Sequence, residues 1–354
     1  MNAPVTNTVT AVESARDFSF IKPAKRRLTE YEAVTIRQQW ETGGFDKGGH
    51  FITPADGRAP WRVESTELRH PDWFAFRDPA QLWQRPYVRM QAEQERAIER
   101  LTEDSVEAGA FADIDRAWLD HFIAGHYRVW SFFENGLFRA FAPAQREALS
   151  DCLGNALCFQ AFDQMRHAQA IVSHLVAAEM VVPGLSDAGA KQVWLDEPAY
   201  QPLRKLVEQV VATSDWCEIP VATNLVILPL VSEVAIGGLI RRQGPLHQDS
   251  ISPYIALTAD RDRRRNSAWT QALVKMVLED KLPQAQANRS VLEGWLKRWQ
   301  PRAIEAVAAL QPIADRVPAG AVDLKPLLKA ARAQQDKLLA AAGLHAALVA
   351  EFDA

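Results

Sequence analysis

Apolar residues recur at spacings of three and four through the central part of the chain, the pattern of helices that bury one face. The segment DPAQLWQRPYVRMQAEQERAIERL places Leu82, Tyr87, Met90 and Ala97 on one side, with Gln and Glu opposite. The next segment, DIDRAWLDHFIAGHYRVWSFFENGLFRAF, has large apolar residues around most of its circumference, as expected of a helix buried among others. The spacing therefore predicts one amphipathic long helix followed by one buried long helix.

The same spacing continues beyond Pro143, which we interpret as a helix start because Pro is favourable at that position. Further helical segments follow Pro183 and Gly184, and we expect Pro220 and Pro229 to kink or interrupt the first of them. No run of strict apolar and polar alternation occurs between turns, so we predict an all-α protein. Two long helix pairs on either side of the Pro-Gly turn predict a four-helix bundle of the ferritin-like kind.

Three regions follow from this pattern. Residues 1–75 are rich in Pro, Gly and charge with little periodicity, and we predict an extended irregular arm. Such an arm either packs over its own domain or reaches onto another chain. Residues 76–315 are predicted to form the ferritin-like, or ribonucleotide-reductase-like, long-helix bundle, and residues 316–354 a C-terminal helical extension.

Composition narrows the class of protein. Apolar residues at 48% and charged residues at 24% are ordinary values for a globular protein. A net charge of −4 gives no field that would gather nucleic acid or an anionic membrane. The three cysteines include no CxxC pair, which fits a reducing cytoplasm. The most apolar window, NLVILPLVSEVAIGGLI, is shorter than the roughly 20 residues that cross a bilayer. We therefore expect a cytoplasmic protein that binds neither membrane nor nucleic acid.

One segment, AFDQMRHAQA, nearly matches a metal site. Gln164 and His167 are three residues apart, where a carboxylate-bridged di-iron protein has Glu and His, and Glu134 lies 30 residues before Gln164. A neutral amide supplies no charge to balance iron. We therefore favour a buried polar cluster satisfied by hydrogen bonds, with Asp163 and Arg166 nearby, over a metal site.

Other candidate ligands are weaker still. Glu67 and His70 alone satisfy the Glu-x-x-His spacing, but Pro71 follows directly, so we interpret them as a surface turn. In TADRDRRRNSAW, Asp260 and Asp262 precede three consecutive arginines, whose positive charge would repel iron. This segment is predicted to be a salt-bridged or interface face.

Five phrases occur in order between about residue 20 and residue 315: KRRLTEYEAVT, STELRHPDWFAFRDP, ENGLFRAFAPAQREALSD, SDWCEIPVATNLV and LEGWLKRWQP. Together they resemble the β subunit of the hydroxylase in bacterial multicomponent soluble di-iron monooxygenases, which include the methane, propane, alkene and toluene monooxygenases. The resemblance is nearest to the methane and alkane or alkene branch.

The resemblance implies that the metal ligands have been lost from this chain. In that family the α subunit carries Glu and Glu-x-x-His twice, and the β subunit is its paralogue without them. Glu134, Gln164 and His167 resemble the first-half ligand positions, whereas ADRDRRRN lacks the second-half pattern. No cofactor and no catalytic residue are then expected in this chain, and the di-iron centre is expected in the α subunit.

The resemblance also implies the rest of the system. The α subunit would activate dioxygen and insert one atom into a small hydrocarbon, with electrons from NADH delivered through a reductase that holds FAD and an iron-sulfur cluster. A small effector protein would assist. The assembly would be α2β2, or α2β2γ2 where a γ subunit is present, and this chain would be an inactive subunit of an oxidoreductase when alone.

Aromatic and Arg side chains commonly anchor interfaces. The interface candidates in the arm are Lys25, Arg26, Arg27, Tyr31, Trp73, Phe74 and Phe76. The alternative is that these aromatic residues pack the arm onto its own bundle. Trp295 and Trp299, four residues apart in one helix, are expected to be core residues.

Two other functions stay open from the residues alone. One is an autonomous iron oxygenase with a non-standard site that uses Glu134 and His167 together with Glu218 or Glu233. The other is a helical scaffold protein unrelated to oxygenases.

Overall fold

The computed structural model describes residues 28–35 and 62–345. Within these two ranges the chain is mostly helical and contains no strand, so the all-α prediction is confirmed. The helices are α1 Glu30–Thr35, α2 Gln84–Glu107, α3 Arg116–Trp118, α4 Arg128–Glu147, α5 Asp151–Val181, α6 Ala190–Asp196, α7 Gln201–Val211, α8 Glu218–Ala222, α9 Ile251–Val277, α10 Ala285–Ala309, α11 Gln311–Ala314 and α12 Leu324–Ala341. Two π-helices continue from them, π1 Leu119–Tyr127 before α4 and π2 Thr223–Arg241 after α8.

Four long helices, α4, α5, π2 and α9, pack around one hydrophobic core. Helices α4 and α5 pair with each other, α9 lies against both α5 and π2, and α2 covers α5 and α9 from outside. Helices α10 and α12 pack on π2. These two helix pairs are the four-helix bundle that the spacing predicts, and they bring side chains of α4, α5 and α9 together in the interior.

The most apolar segment is the centre of the bundle. Glu218–His247 is long and apolar enough to cross a membrane, but 89% of its apolar window is buried inside the protein, as in a core helix. Of the two expected effects of Pro220 and Pro229, an interruption is wrong, because the helix runs through both residues, and a kink stays a prediction. Pro229 lies within π2, whose wider turn leaves room for a proline ring that would clash in an α-helix.

The boundary between α4 and α5 differs from the expectation at Pro143. Pro143 lies inside α4, which extends to Glu147, and α5 begins only at Asp151. The hydroxyl of Ser150 accepts a hydrogen bond from the backbone N–H of Leu153 over 3.4 Å. The capping serine therefore marks the helix start, as Ser favours the N-cap position, and the proline costs α4 one backbone bond near its end.

The described parts of the arm pack onto the chain's own bundle. The hydroxyl of Tyr31 accepts a hydrogen bond from the backbone N–H of Asp78 over 3.2 Å. The backbone N–H of Glu67 donates to Asp215 Oδ2 over 2.6 Å. These contacts tie α1 and the segment before α2 to the helical core.

The arm aromatics are buried in this chain. Trp73 is 6% exposed and its ring meets that of Trp216 edge-on at 5.5 Å, while Phe76 is 2% exposed and meets Trp269 at 6.5 Å. Tyr31 is buried as well. The interface interpretation is therefore corrected for these three residues: their area is already buried against their own bundle, which leaves little of them for a partner.

For the remaining interface candidates, the interface role is still a prediction. Phe74 is partly exposed beside the buried Trp73. Lys25, Arg26 and Arg27 lie outside the described residues.

The C-terminal helix α12 also packs on the bundle. Gln335 Nε2 donates to the backbone carbonyl of Leu225 over 2.9 Å, and Gln271 Nε2 donates to that of Leu338 over 2.8 Å. Trp295 and Trp299 are buried, so their expected core role is confirmed.

Candidate functional site

The three degenerate ligand positions lie in the interior of the bundle. Glu134 projects from α4, and Gln164 and His167 project from α5 one turn apart; all three are buried. His167 Nδ1 lies 3.5 Å from Glu134 Oε2, an ion-pair distance rather than a hydrogen bond. The spacing of 30 residues in sequence therefore does bring Glu134 and His167 together.

The partner of Glu134 is a guanidinium group. Arg263 Nη2, from α9, donates to Glu134 Oε1 over 2.7 Å, and Trp130 Nε1 donates to the same oxygen over 2.8 Å. Arg263 Nη1 also donates to Asp260 Oδ1 over 2.9 Å. The carboxylate that resembles a metal ligand is thus held by an organic cation from the second half of the bundle.

The charges of this pair follow from its surroundings. Burial alone would raise the pKa of Glu134, but the Arg263 guanidinium and His167 lower that pKa to about 2. Burial opposes a charged imidazole, yet Asp262 and Glu134 together raise the pKa of His167 above its usual value. Glu134 is therefore ionised at neutral pH, and the protonated form of His167 is favoured, consistent with the rule that buried charges are paired.

A second carboxylate pair lies beside it. Gln91 Nε2, from α2, donates to Asp163 Oδ1 and to Asp262 Oδ1, each over 2.9 Å. Arg265 bridges the same two carboxylates, with Nη1 donating to Asp262 over 2.9 Å and Nη2 donating to Asp163. Burial and the Asp262 carboxylate raise the pKa of Asp163, and Arg265 opposes that rise. The pKa of Asp262 is lowered: burial acts against this, but His167 and Arg265 outweigh it.

Arg166 and His167 join the two pairs into one network. Arg166 Nη1 donates to Asp262 Oδ2 over 2.9 Å, and Arg166 Nη2 donates to Glu95 Oε1 over 2.6 Å. His167 Nε2 lies 3.1 Å from the same Asp262 oxygen. In this network four carboxylates form ion pairs with four basic side chains. The carboxylates are those of Glu95, Glu134, Asp163 and Asp262, and the basic residues are Arg166, His167, Arg263 and Arg265. The salt-bridged interpretation of the arginine-rich segment is confirmed for Arg263 and Arg265.

Gln164 departs from the predicted cluster. Its side chain is fully buried, but neither Oε1 nor Nε2 has a hydrogen-bond partner among the described residues. The expectation of a satisfied polar cluster is confirmed in part for Glu134 and His167, each of which bonds through one side-chain atom and leaves another buried atom without a partner, and it is wrong for Gln164. Arg263 binds the Glu134 carboxylate, and a carboxylate accepts a hydrogen bond from a guanidinium more strongly than a neutral amide does.

The space left at this site is small. A cavity of about 10 Å³ lies among Trp130, Glu134, His167 and Arg263, and a volume of this order holds about one water molecule. A di-metal centre places two ions about 3.5–4 Å apart and needs several carboxylates and two imidazoles. Within residues 28–35 and 62–345, no group of three or more His, Cys, Asp or Glu is arranged to hold a metal ion. The residues of the cluster therefore do not fit a di-iron centre.

The additional carboxylates considered for an autonomous iron site lie elsewhere. Glu218 Oε1 accepts hydrogen bonds from Arg298 Nη1 and Trp299 Nε1, each over 2.7 Å. Glu233 pairs with Arg241 over 3.1 Å in a surface cleft. Neither carboxylate joins Glu134 and His167.

The Glu67 and His70 pair is a surface turn, as expected. The Glu67 side chain is exposed, and His70 Nδ1 accepts a hydrogen bond from the backbone N–H of Asp72 over 3.1 Å.

Gln91 and Glu95 are residues of the network that the sequence reasoning missed. The spacing argument placed the Gln residues of α2 on its polar side, whereas Gln91 is buried. A signal was present, because Gln91 follows the buried Tyr87 by four residues and precedes the buried Ile98 by seven. A polar residue at a core position of an amphipathic helix indicates a buried hydrogen-bond partner.

Comparison with known proteins gives consistent matches. The family model for methane/phenol/alkene hydroxylase matches residues 52–281. The chain is 30% identical over 326 residues to the small subunit of the propane 2-monooxygenase hydroxylase component of Mycolicibacterium goodii, covering 92% of this chain and 88% of the relative. It is 31% identical over 311 residues to the β chain of methane monooxygenase component A of Methylococcus capsulatus, covering 86% of this chain and 80% of the relative.

Solved structures agree with the fold. A chain of toluene 4-monooxygenase, with toluene bound in its resting active site, superposes with a TM-score of 0.70 at 26% identity, covering 81% of this chain and 94% of that chain. A chain of phenol hydroxylase from Pseudomonas sp. OX1 superposes with a TM-score of 0.75 at 20% identity, covering 92% and 93%, which supports the fold alone.

Proposed function

The chain belongs to the methane/phenol/alkene hydroxylase family, as a small or β subunit of the hydroxylase component of a hydrocarbon monooxygenase, and from this premise we propose that it is a non-catalytic subunit. The observation that carries the proposal is the Arg263 guanidinium bound to Glu134 over 2.7 Å. A fixed cation on the carboxylate competes with any metal ion for the same lone pairs. Chemistry on dioxygen then belongs to a partner chain.

The proposed partner is a larger α subunit with a di-iron centre. That subunit would insert one oxygen atom of O2 into a small hydrocarbon, using electrons from NADH that pass through a reductase holding FAD and an iron-sulfur cluster. A small effector protein would complete the system. We propose an α2β2 assembly, or α2β2γ2 with a γ subunit, in the cytoplasm, a location that the three unpaired cysteines support.

The role proposed for this chain is mechanical support of the α subunit. Its ion network joins α2, α4, α5 and α9 through charged hydrogen bonds, which are stronger than neutral ones. Such a network fixes the helices relative to one another, so the chain can present a surface of constant shape to a partner.

The experiment that tests this proposal is an iron assay. The chain would be purified alone from iron-replete cells and, in parallel, together with its larger partner subunit. We expect iron close to zero in the isolated chain and stoichiometric iron in the complex. About two irons per isolated chain would overturn the proposal and favour an autonomous oxygenase.

A turnover assay provides an independent check. Glu134→Gln should leave the rate per intact hydroxylase complex within about twofold of the parent, because Glu134 touches no substrate or metal in the proposed role. Arg264→Ala, at an exposed position of α9, the helix that carries the Arg263 partner, is the control. A large loss of rate in an intact Glu134→Gln complex would place chemistry in this chain.

A further inference from the structure

Helix α5 carries an exposed apolar stripe on its outer face. Phe162 and Val176 are each 50% exposed and Met180 is 81% exposed, and Met165 and Val172 on the same face are partly exposed. Their positions follow steps of three, seven, four and four residues, so they line one side of the helix. Single exposed apolar residues are normal, but a contiguous stripe marks an interaction surface.

The stripe is long, and the opposite face of α5 is already in the core. Eighteen residues separate Phe162 from Met180, which corresponds to about 27 Å at about 1.5 Å per residue. The inner face buries Leu157, Ile171 and Leu175 in the bundle. A helix that is apolar on both faces is typical of one covered on both sides.

Two grooves lie beside the middle of α5, and Val172 of the stripe lines the second of them. A cavity of about 410 Å³ lies between α5 and α2, and one of about 420 Å³ lies between α5 and α4; Gln169 and Ser173 line both. A ridge of side chains with a groove on each side is the surface against which helices of another chain pack.

The rim of the first groove is acidic. It carries Glu95, Glu99 and Glu103, which repeat at four-residue spacing along α2. Between Phe162 and Val181, Arg166 is the single Lys or Arg of α5, and it is bound to Asp262 and Glu95. The α5 stripe of a second copy would therefore bring no available cation to this rim. A complementary partner would present an apolar helix face edged by Lys or Arg.

We infer that the outer face of α5 is a docking surface for a helical surface of the larger hydroxylase subunit. This inference rests on the proposed function, and the relatives support the choice of partner: they are small subunits or β chains of hydroxylase components, so a larger kind of chain accompanies them. The partner surface contributes apolar side chains to the two grooves and basic side chains to the acidic rim.

The test is co-purification of the larger subunit with the tagged full-length chain. In the variant Val176→Glu with Met180→Glu, two exposed charges replace apolar contacts at one end of the stripe. We expect the amount of co-purified larger subunit to fall at least tenfold. The control is Leu246→Glu, because Leu246 is 65% exposed in the short helix Gly244–His247 and lines neither groove, and this variant should retain the partner in full.

A second measurement separates loss of docking from loss of folding. A photo-crosslinking amino acid at position 176 of the otherwise unchanged chain should link to the larger subunit within the intact complex. Full co-purification with the charged variant would overturn the inference, and so would a cross-link that joins two copies of this chain or returns to its own N-terminal residues.

Failure of this inference is distinguishable from failure of the proposed function. Iron in the isolated chain would overturn the non-catalytic role, whatever the stripe variants do. If the stripe variants retain the larger subunit while iron is found only in the complex, the non-catalytic role stands and the partner contact lies on another face.

Discussion

Arg263 on α9 donates from Nη2 to Oε1 of Glu134 on α4 over 2.7 Å, across 129 positions of sequence. Glu134 lies at a position that resembles a metal ligand, and its negative charge is balanced by a side chain that the same polypeptide encodes. The bond also joins the first helix pair of the bundle to the second. Removing either partner leaves the other as a buried charge.

We predict that Arg263→Met lowers the free energy of unfolding by about 1–3 kcal/mol, the cost of removing a hydrogen bond to a buried charged group, because His167 still faces Glu134 at 3.5 Å and Trp130 still donates to it. Chemical unfolding of the purified hydroxylase, followed by tryptophan fluorescence, would measure this change. Arg264→Met, at an exposed position of the same helix, should change it by less than about 0.5 kcal/mol. Equal effects of the two substitutions would show that the Glu134 pair is unimportant for stability.

A double-mutant cycle would isolate the pair itself. Glu134→Gln combined with Arg263→Met should be less destabilising than the sum of the two single changes, because no uncompensated charge remains between them. Asp260 stays paired with Arg241 in this variant. Strict additivity would mean that Glu134 and Arg263 do not stabilise each other.

Two glutamines of the cluster are predicted to respond in opposite directions. Gln164 is buried without a hydrogen-bond partner among the described residues, so Gln164→Leu should be neutral or stabilising by about 1–3 kcal/mol, the cost of an unsatisfied buried amide. Gln91 donates to two carboxylates, so Gln91→Leu should be destabilising by about 1.5–3 kcal/mol per lost bond. Thermal unfolding of both variants under identical conditions would compare them, and a destabilised Gln164→Leu would contradict the argument.

Restoring one carboxylate should not restore a metal site. We predict that Gln164→Glu binds no stoichiometric iron, because Arg263 still occupies Glu134 and the other ligands of a di-metal centre are missing. Elemental analysis of the variant from iron-replete cells, beside the unchanged chain, would test this. One or two irons per Gln164→Glu chain would refute the prediction.

The stability of the chain should fall on acidification because of His126. Burial lowers the pKa of His126 to about 4, and a contact with the Ala235 carbonyl only partly opposes this. Between its usual pKa of about 6.5 and pH 4 the unfolded state binds the proton and the folded state does not, so the free energy of unfolding falls by up to about 3 kcal/mol over that window. Unfolding at several pH values would show the slope.

The matched variants for this pH dependence are His126→Gln and His121→Gln. His126→Gln should reduce the slope between pH 4 and 6.5 without abolishing it, because burial also lowers the pKa of His174, whereas His121→Gln, at an exposed position, should leave it unchanged. His167 acts in the opposite sense: its pKa is raised, so its contribution to stability is present below about pH 6.5 and is lost as the pH rises through its folded pKa. An undiminished slope in His126→Gln would assign the acid effect to other groups.

Helix existence could be predicted from the sequence because spacing reports which face is buried. Apolar residues at three and four spacing predicted the long helices, and the 30 residues between Glu134 and Gln164 predicted that α4 and α5 would bring Glu134 and His167 together. The boundaries of the helices were harder to predict from the sequence. Pro143 suggested a helix start because Pro is favourable in the first turn of a helix. In the structure Pro143 lies near the end of α4, and the start of α5 is set by the Ser150 cap.

The partner of Glu134 could not be predicted, because it depends on the register between α4 and α9. Three consecutive arginines follow Asp262, and spacing alone does not say which of them turns inward. The structure shows Arg263 bound to Glu134, Arg265 bound to Asp163 and Asp262, and Arg264 exposed. Likewise, Pro229 lies inside the π-helical turns of π2. The helix propensities of single residues do not predict such turns.

The guanidinium of Arg263 has a consequence for how the subunit is made. A metal ion must be acquired after synthesis, in competition with every other protein that uses iron, whereas an arginine is part of the chain as it is synthesised. The charge balance at the centre of this bundle is therefore complete as soon as translation and folding are complete. In the proposed role, folding of this subunit therefore does not depend on the supply of iron.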